Sequence, residues 1–449
     1  MLNILSKLKF KNIHINLRIH PKLYMIILFL LPFIIPLWTV SRSGMSRTNM
    51  QKIQILNEEA IRFSSKKEYS KSIEHLTSAL RLAPNNKTIK KNLASVYTDL
   101  AIDLKSKGDK DNAVAVLEEA EQLNTNIETI HSLLAQLYYE KGDLMFAEKE
   151  ARIALLLKPH DPYLLKFLSY ISYLLEDYDD AMQTHDDLNN KFSESGEFYD
   201  LDQMQQEQEI SANYEKMICH PFVIFYPDKQ YYEKAKWVAQ ALAKVYLRLG
   251  DWWGFKPQHK IPVYLYPEEI FLKVTHAGNY TVGLYDGKIR LLVENCEKLS
   301  LKKTAMHEYT HHALSCLTNS NAPFWCNEGL AQFVAGQWDD ARAKMFDMII
   351  YRNELIDFAQ IEDSESDIFD VYDKRLAYLQ SFVAVDFLVS VYGDDIILDL
   401  INGLKQGKTA QQVINDITLL SYDEFKQEIE EYYTNRRAEE SDELASLSE

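Results

Sequence analysis

The segment from His307 to Glu328 contains the residue types that can bind a metal ion and activate a water molecule. His307 and His311 are four residues apart, so on a helix both imidazole rings project from the same face. Glu308 lies one position round from His307, where a carboxylate can accept a proton from a water molecule. A zinc ion held by three protein ligands keeps one coordination position open for such a water. The spacing therefore predicts a site for metal-assisted hydrolysis.

A second motif, the sequence PFWCNEGLAQF at residues 323–333, follows the first. It places Glu328 near the start of another predicted helix, which is a natural position for a third metal ligand. The alternative is a structural zinc site, which usually has four protein ligands, often with sulfur. Cys316 lies five residues beyond His311, about 140° round the helix, so we expect it to face away from the metal. His312 is expected to be an exposed helix residue and not a ligand.

Together the two motifs resemble the gluzincin metallopeptidases, and most closely the peptidase MA-like domains, in which a Trp-x-x-Glu-Gly-x-Ala segment supplies a glutamate ligand. The resemblance implies that a Zn2+ ion is bound by His307, His311 and Glu328. It also implies that Glu308 is the general base of peptide hydrolysis. In the same comparison Tyr378 lies where these domains carry an aromatic hydroxyl near the metal, and such a hydroxyl could stabilise a developing oxyanion.

An apolar run at residues 23–40 is long enough to cross a bilayer as a helix. It follows a basic segment, residues 1–22, which contains no acidic residue. Because basic flanks stay in the cytoplasm, we predict a single-pass membrane protein with a cytoplasmic N-terminus and C-terminal domains outside the cytoplasm. The alternative is a cleaved signal peptide, since Ser41 and Ser43 are small enough for a cleavage site.

Residues 53–190 contain about four copies of a pattern of small residues, aromatic residues and Gly-Asp-like turns. In the clearest copy, three of these positions are Ala135, Tyr138 and Gly142. The pattern resembles the tetratricopeptide (TPR) repeat, whose paired helices stack into a solenoid with a concave face. That face would bind a protein partner, although the repeats could also simply space the next domain from the membrane. Residues 191–215 lose the pattern and are predicted to be a linker.

Residues 216–435 read as a second domain, with a mixed sheet followed by helices. Asp286-Gly287 is a hairpin signal between two short strands. We predict that the strand Ile289–Val293 is an unpaired edge beside the metal, which could bind an extended peptide by β-augmentation. Residues 436–449 are predicted to be a disordered acidic tail. The expected fold class is multidomain: a transmembrane helix, an all-α TPR solenoid and an α+β zincin-like metallopeptidase domain.

The composition limits the partners of this chain. Its net charge of -17 argues against nucleic acid, because an acidic surface gains nothing from counterion release. Its four cysteines leave disulfide pairing open. We therefore expect a membrane-anchored zinc peptidase that hydrolyses proteins or peptides, as an endopeptidase. Two alternatives stay open: an aminopeptidase, and a TPR-based binding or assembly factor of the cell envelope with a weakly active metallopeptidase domain.

Overall fold

The computed structural model describes residues 47–123, 125–191, 201–257, 259–276, 281–362 and 371–447. The basic segment and the membrane-spanning helix predicted at residues 1–40 lie outside these ranges. One described helix, Tyr372–Tyr392, is long and apolar enough to cross a bilayer, but 61% of its apolar window is buried inside the protein. Such burial is typical of a core helix, which passes the same test of length and composition.

The chain divides into two compact units, and the boundary follows Ile89. In the first unit, helices α1 (Arg47–Ser65) and α2 (Tyr69–Leu82) pack against each other. Ala60 of α1 is fully buried, and the Ser72 hydroxyl of α2 donates a hydrogen bond to its carbonyl at 2.8 Å. Small side chains at this contact let the two helices approach closely, as predicted for the first repeat.

Further helices joined by short turns follow: α3 (Lys87–Ser106), α4 (Lys110–Glu121), α5 (Glu128–Glu140), α6 (Leu144–Leu157), α7 (Pro162–Leu174) and α8 (Tyr178–Lys191). Neighbouring helices pack as pairs, α5 with α6 and α7 with α8. Ala135 and Ala154 are fully buried within these pairs. Gly142 has a φ of +79°, the left-handed conformation that the tight turn between α5 and α6 requires. The predicted helical-repeat region is thereby confirmed.

Part of the predicted linker is a helix. Residues Leu201–Asn213 form α9, in which Met204 and Glu207 are buried. The polarity of this segment suggested a solvated linker, because sequence alone does not show that a carboxylate is paired inside the protein. Helix α9 instead packs against α8 and is part of the second unit.

The second unit contains a five-stranded sheet with the order β1-β2-β3-β5-β4. The strands are β1 (Glu215–Cys219), β2 (Phe222–Tyr226), β3 (Ile261–Tyr266), β4 (Gly283–Tyr285) and β5 (Ile289–Leu292). Strands β2, β3 and β5 are parallel, and β1 and β4 lie antiparallel at the two edges. Asp286-Gly287 joins β4 and β5, as the hairpin signal predicts.

The prediction that Ile289–Val293 is the sheet edge is wrong. Strand β5 lies inside the sheet, hydrogen-bonded to both β3 and β4, and β4 is the edge strand. The hairpin signal shows that β4 and β5 pair, but the order of strands across a sheet depends on contacts between distant segments. Strand β5 also pairs in parallel with β3, and this pairing leaves β4 at the edge.

The two faces of the sheet have different partners. One face packs against α10 (Tyr232–Trp252) and α12 (Lys298–Leu317). This face carries apolar side chains at alternate positions: Ile224, Val263, Leu265, Ile289 and Leu291. The opposite face presents buried polar and aromatic side chains, including Tyr264, Tyr266 and Arg290. Short helix α11 (Glu268–Thr275) covers part of it.

Helices α7 and α9 of the same unit close the opposite face through a buried ionic network. The Glu207 carboxylate of α9 lies 2.8 Å from Arg290 Nε and 3.1 Å from Lys288 Nζ, and all three side chains are fully buried. The Tyr173 hydroxyl of α7 donates to Glu207 at 2.6 Å and accepts from Arg290 at 2.8 Å. Buried charges persist only when they are paired in this way, so the network fixes α7 and α9 against the sheet.

We predict that acid weakens the fold through Glu207. Burial alone would raise its pKa, but Arg290 and Lys288 lower the pKa from 4.5 to about 2. The stability that depends on this carboxylate is therefore present above pH 4.5 and is lost as the pH falls towards about 2. Urea unfolding at a series of pH values measures this loss. The Glu207→Gln variant should show a shallower acid dependence than the parent, and equal dependences would contradict the assignment.

A helical lobe completes the second unit: α13 (Phe324–Ala335), α14 (Asp340–Arg352), α15 (Phe358–Glu362), α16 (Val371–Tyr392), α17 (Ile396–Lys405), α18 (Ala410–Thr418) and α19 (Tyr422–Leu447). Helices α13 and α16 meet at Gly329, where a Cβ atom would lie 2.3 Å from the carbonyl oxygen of Ser381. This close approach holds the neighbouring Glu328 beside α16. Helix α19 extends to Leu447, so most of the predicted disordered tail is helical.

Candidate metal centre

Helix α12 positions the His-Glu-x-x-His motif. Its side chains at Leu301, Ala305 and Tyr309 recur every four residues and are buried in the core below the sheet. The same spacing places His307 and His311 together on an adjoining face of the helix. That face packs against α13, which begins directly after a proline and brings its own polar side chains towards α12.

The structure brings the three predicted metal ligands together. Nε2 of His307 lies 2.9 Å from Nε2 of His311, and these two atoms lie 3.3 and 3.5 Å from the carboxylate oxygens of Glu328. Neighbouring ligands of a tetrahedral zinc ion with bonds of about 2.0–2.1 Å are about 3.3 Å apart. Two imidazole nitrogens and a carboxylate oxygen are also a donor set that zinc prefers. The three side chains therefore fit a single zinc ion in spacing and chemistry.

Asn327 orients one of these ligands. Its side-chain oxygen lies 3.0 Å from Nδ1 of His311. Because an amide oxygen can only accept a hydrogen bond, this contact puts the imidazole proton on Nδ1 and leaves Nε2 free to bind a metal. The sequence carried no signal for this contact, because it depends on how α13 packs against α12.

Glu308 is buried next to the ligands, with 6% of its surface exposed. Burial raises the pKa of its carboxyl to about 7, the Glu328 carboxylate adds to the rise, and His311 opposes it. A carboxyl group with a pKa near neutrality can both accept and return a proton. The edge strand lies directly against it, because a Cβ atom at Gly283 would be 2.5 Å from Oε1 of Glu308.

Tyr378 lies at the same centre. Burial alone would raise the pKa of Glu328, but His311, His307 and a hydrogen bond from Tyr378 lower it below its ordinary value. The Tyr378 ring packs edge-on against Phe324 with centroids 5.2 Å apart. Tyr378 is 39% exposed, so a residue bonded to the candidate ligand Glu328 is also accessible from solvent.

The expectation that His312 is exposed is wrong, because only 3% of its surface is exposed. Its Nδ1 lies 3.0 Å from the hydroxyl of Tyr285 in β4, and its ring packs near His259. Burial lowers the pKa of His312 to about 3, with His259 adding to the effect, so the ring is neutral. His312 thus joins α12 to the edge strand. This contact between distant parts of the chain left no signal in the sequence.

The cysteines and a second cluster of possible ligands lie apart from this centre. All four cysteines are free, and Cys326 is fully buried. In the helical repeats, Glu121, His131 and Glu150 also come within metal-binding range of one another. There, however, Glu150 is already paired with His131 and Lys149, at 2.7 and 2.9 Å. Because Lys149 already forms an ion pair with the Glu150 carboxylate, this cluster is a weaker candidate for a metal-binding site.

Residues 239–429 match the Peptidase MA superfamily. This region includes the three predicted ligands, Glu308 and Tyr378. A relative, the uncharacterized protein YhcO of Bacillus subtilis (strain 168), is 25% identical over 203 residues. The alignment covers 41% of this chain and 61% of that protein. The match suggests a peptidase-like domain in the part of the chain that contains the candidate metal centre.

Among solved structures, a thermophilic TPR protein from Thermus thermophilus is similar to this chain at 16% sequence identity. The similarity covers 35% of this chain and 97% of that protein, with a TM-score of 0.19. Because this score is low, the repeat architecture rests on the paired helices described above.

Proposed function

We propose that this protein is a zinc-dependent peptidase that hydrolyses peptide bonds in protein or peptide substrates. The observation that carries the proposal is the convergence of His307, His311 and Glu328 beside a buried carboxyl group, Glu308. Three ligands with an adjacent acid–base group are typical of catalytic zinc and not of structural zinc. The match of residues 239–429 to the Peptidase MA superfamily supports the same reaction class.

Each side chain at the centre has a role in the proposed reaction. When bound by the three ligands, zinc supplies a Lewis acid that polarises the scissile carbonyl and lowers the pKa of a water molecule. Glu308 accepts the proton of the attacking water and returns it to the leaving amine. The Tyr378 hydroxyl bonds Glu328 in the free protein. In the reaction it would turn to donate a hydrogen bond to the oxyanion that develops on the substrate.

The edge strand β4 provides a binding surface for the substrate backbone. It pairs with β5 on one side, and on its other side no strand is paired with it among the described residues. An extended peptide can add to such an edge through main-chain hydrogen bonds. This binding mode recognises the substrate backbone and does not require a free amino terminus. It therefore favours an endopeptidase over an aminopeptidase.

We also propose the cellular setting from the sequence. The apolar run at residues 23–40 anchors the chain in a membrane, with the N-terminus in the cytoplasm and the peptidase domain outside. The helical repeats are proposed to bind a protein partner or substrate. Protease protection of the full-length chain in sealed membrane vesicles tests the orientation, since the proposal expects the C-terminal domain on the non-cytoplasmic side.

Substitution at Gly283 is expected to reduce activity strongly. In Gly283→Ala the new methyl group would lie 2.5 Å from both Glu308 Oε1 and Thr304 Cγ2, so the edge strand or the general base must move. We expect kcat/KM to fall about a hundredfold, because a shift of about 1 Å at reacting groups costs that much. In the control Gly250→Ala the nearest atom is 3.6 Å away, and activity should be unchanged. Equal activity of the two variants would contradict the placement of β4.

Removal and return of the metal tests the proposed function. The full-length protein is treated with a chelator, then supplied with one equivalent of Zn2+, and cleavage of an unfolded protein is followed at each stage. We expect cleavage to disappear and to return with zinc. Internal cut sites indicate an endopeptidase, and stepwise loss of amino-terminal residues indicates an aminopeptidase. If the zinc-loaded protein cleaves nothing, the proposal fails and the binding or assembly alternative replaces it.

A further inference from the structure

We propose that Glu207 is a positioning residue of the peptidase site: through Lys288 and Arg290 it holds the β4–β5 hairpin so that the edge strand keeps its place beside the metal centre. Helices α7 and α9 are then an integral part of the site. The proposal rests on the proposed function for the role of β4 in substrate binding, whereas the contacts that hold the hairpin are independent of it.

Strand β4 contacts the metal-binding helix at both of its ends. At Gly283 it approaches Glu308 so closely that a Cβ atom would collide with the carboxylate at 2.5 Å. At the other end, the hydroxyl of Tyr285 lies 3.0 Å from Nδ1 of His312, the residue that follows the proposed ligand His311. A displacement of β4 would therefore change the space around the general base as well as the edge offered to a peptide.

Helix α7 of the repeats supports the turn of the hairpin. Gly287 has a φ of +100°, and a Cβ atom there would lie 2.7 Å from a methyl group of Leu174. The Tyr170 hydroxyl donates a hydrogen bond to the carbonyl of Asp286 at 3.4 Å. The turn therefore packs directly against α7. This contact limits how far the hairpin can move away from the sheet.

A single carboxylate then binds two cations of the hairpin. Lys288 precedes β5 and Arg290 lies within it, and the two oxygens of Glu207 are divided between them at 3.1 and 2.8 Å. Lys288 Nζ also lies 3.8 Å from the centre of the Tyr173 ring and 3.0 Å from the Tyr178 hydroxyl. Loss of the carboxylate charge would remove a counter-ion from both buried cations and leave Arg290 with Asp286 of the turn as its ion-pair partner. The hairpin would then have to shift to let solvent reach them.

The competing explanation is that the network only adds stability. The helical repeats offer a matched control in Glu150, a carboxylate with 2% of its surface exposed. It accepts from His131 at 2.7 Å and from Lys149 at 2.9 Å, and both partners lie in the repeats. Glu150→Gln should therefore destabilise the repeats while leaving the edge strand in place.

The experiment compares Glu207→Gln and Glu150→Gln in the zinc-loaded full-length protein. Hydrogen–deuterium exchange is measured at the amides of residues 283–285, and kcat and KM are measured for an unfolded protein substrate. We expect Glu207→Gln to keep its zinc, to exchange at least about tenfold faster at these amides, and to lose about ten- to a hundredfold in kcat/KM, mostly through KM. Glu150→Gln should match the parent in both measurements. If the two variants behave alike at residues 283–285, the network is only structural and the proposal is overturned.

A milder variant covers the case in which Glu207→Gln does not fold. Tyr173→Phe removes one hydroxyl, which bonds both Glu207 and Arg290, and keeps the aromatic ring. It should speed exchange at residues 283–285 by about threefold relative to Glu150→Gln, and no difference would overturn the proposal. Exchange is recorded without substrate. If the protein binds zinc but cleaves nothing, the proposed function is rejected. The exchange rates at residues 283–285 would still show whether Glu207 positions β4.

Discussion

Glu308→Gln should leave one zinc ion bound and lower peptide hydrolysis by about 10²–10⁴-fold, the usual contribution of a general base. The amide has nearly the volume of the carboxylate, so the pocket between β4 and α12 stays filled, but the amide cannot accept the proton of the attacking water. Because Glu308 is not among the three converging ligands, metal content should not change. Zinc analysis and initial cleavage rates on the same preparation measure the two effects separately.

Glu297→Gln is a suitable control for this prediction. Glu297 precedes the first residue of the same helix, is exposed, and makes no side-chain cap hydrogen bond. Its replacement removes the same charge from the same element at a distance from the metal centre, and activity should stay within about twofold of the parent. If Glu308→Gln retains most of the parent activity, another group must accept the proton and the assignment of the general base is wrong.

Glu328→Gln should release the metal. The variant replaces the only anionic ligand of the three by a neutral amide, at a distance of 3.3–3.5 Å from the two histidine nitrogens. Changes to groups that merely orient a ligand cost about 10–100-fold in metal affinity, so loss of a ligand should exceed about a hundredfold. A competition titration with a zinc-binding dye measures the affinity. Activity should vanish at metal concentrations that saturate the parent.

Asn327→Ala provides the graded comparison. It removes the acceptor for Nδ1 of His311 but leaves all three ligands in place. We expect zinc affinity to fall by about 10–100-fold, less than in Glu328→Gln, with activity restored by excess zinc. If Asn327→Ala weakens zinc binding as much as Glu328→Gln does, Glu328 is not a direct ligand.

The convergence of the candidate ligands could be predicted from the sequence because much of its geometry is local. His307, Glu308 and His311 lie within one and a half turns of a helix, so their spacing already determines their relative directions. Glu328 could be predicted because it belongs to a short motif on the next helix. The structure brings all four side chains together as this reasoning requires, and Tyr378 joins them from a helix further along the chain.

What the sequence did not show depends on contacts between distant segments. Lys288 and Arg290 resemble the solvated side of a strand in the sequence, but both are buried and paired with Glu207, which lies about eighty residues earlier. The burial of His312 could not be predicted either, because it depends on a contact with Tyr285 in the edge strand. A polar residue in a strand pattern is ambiguous, because periodicity shows which face it lies on but not what covers that face.

The arrangement of the second unit bears on how the repeats contribute to function. Helices α7 and α9 bury one face of the sheet: Glu207 of α9 pairs with Lys288 and Arg290 of the β4–β5 hairpin, and the Tyr173 hydroxyl of α7 bonds to the same network. A partner bound to the repeats would therefore act on an element in direct contact with the site. We expect a truncated chain that begins after α9 to expose Lys288 and Arg290 and to be poorly stable for that reason.

The most direct test of the central claim is to incubate the zinc-loaded full-length protein with an unfolded protein in water enriched in oxygen-18 and to identify the new termini by mass spectrometry. The account predicts internal cuts whose new carboxyl termini carry oxygen-18 from the attacking water, in the parent but not in Glu308→Gln. If the parent binds one zinc ion per chain and produces no labelled termini, this protein is not a peptidase, and its function must lie in the surface of the helical repeats.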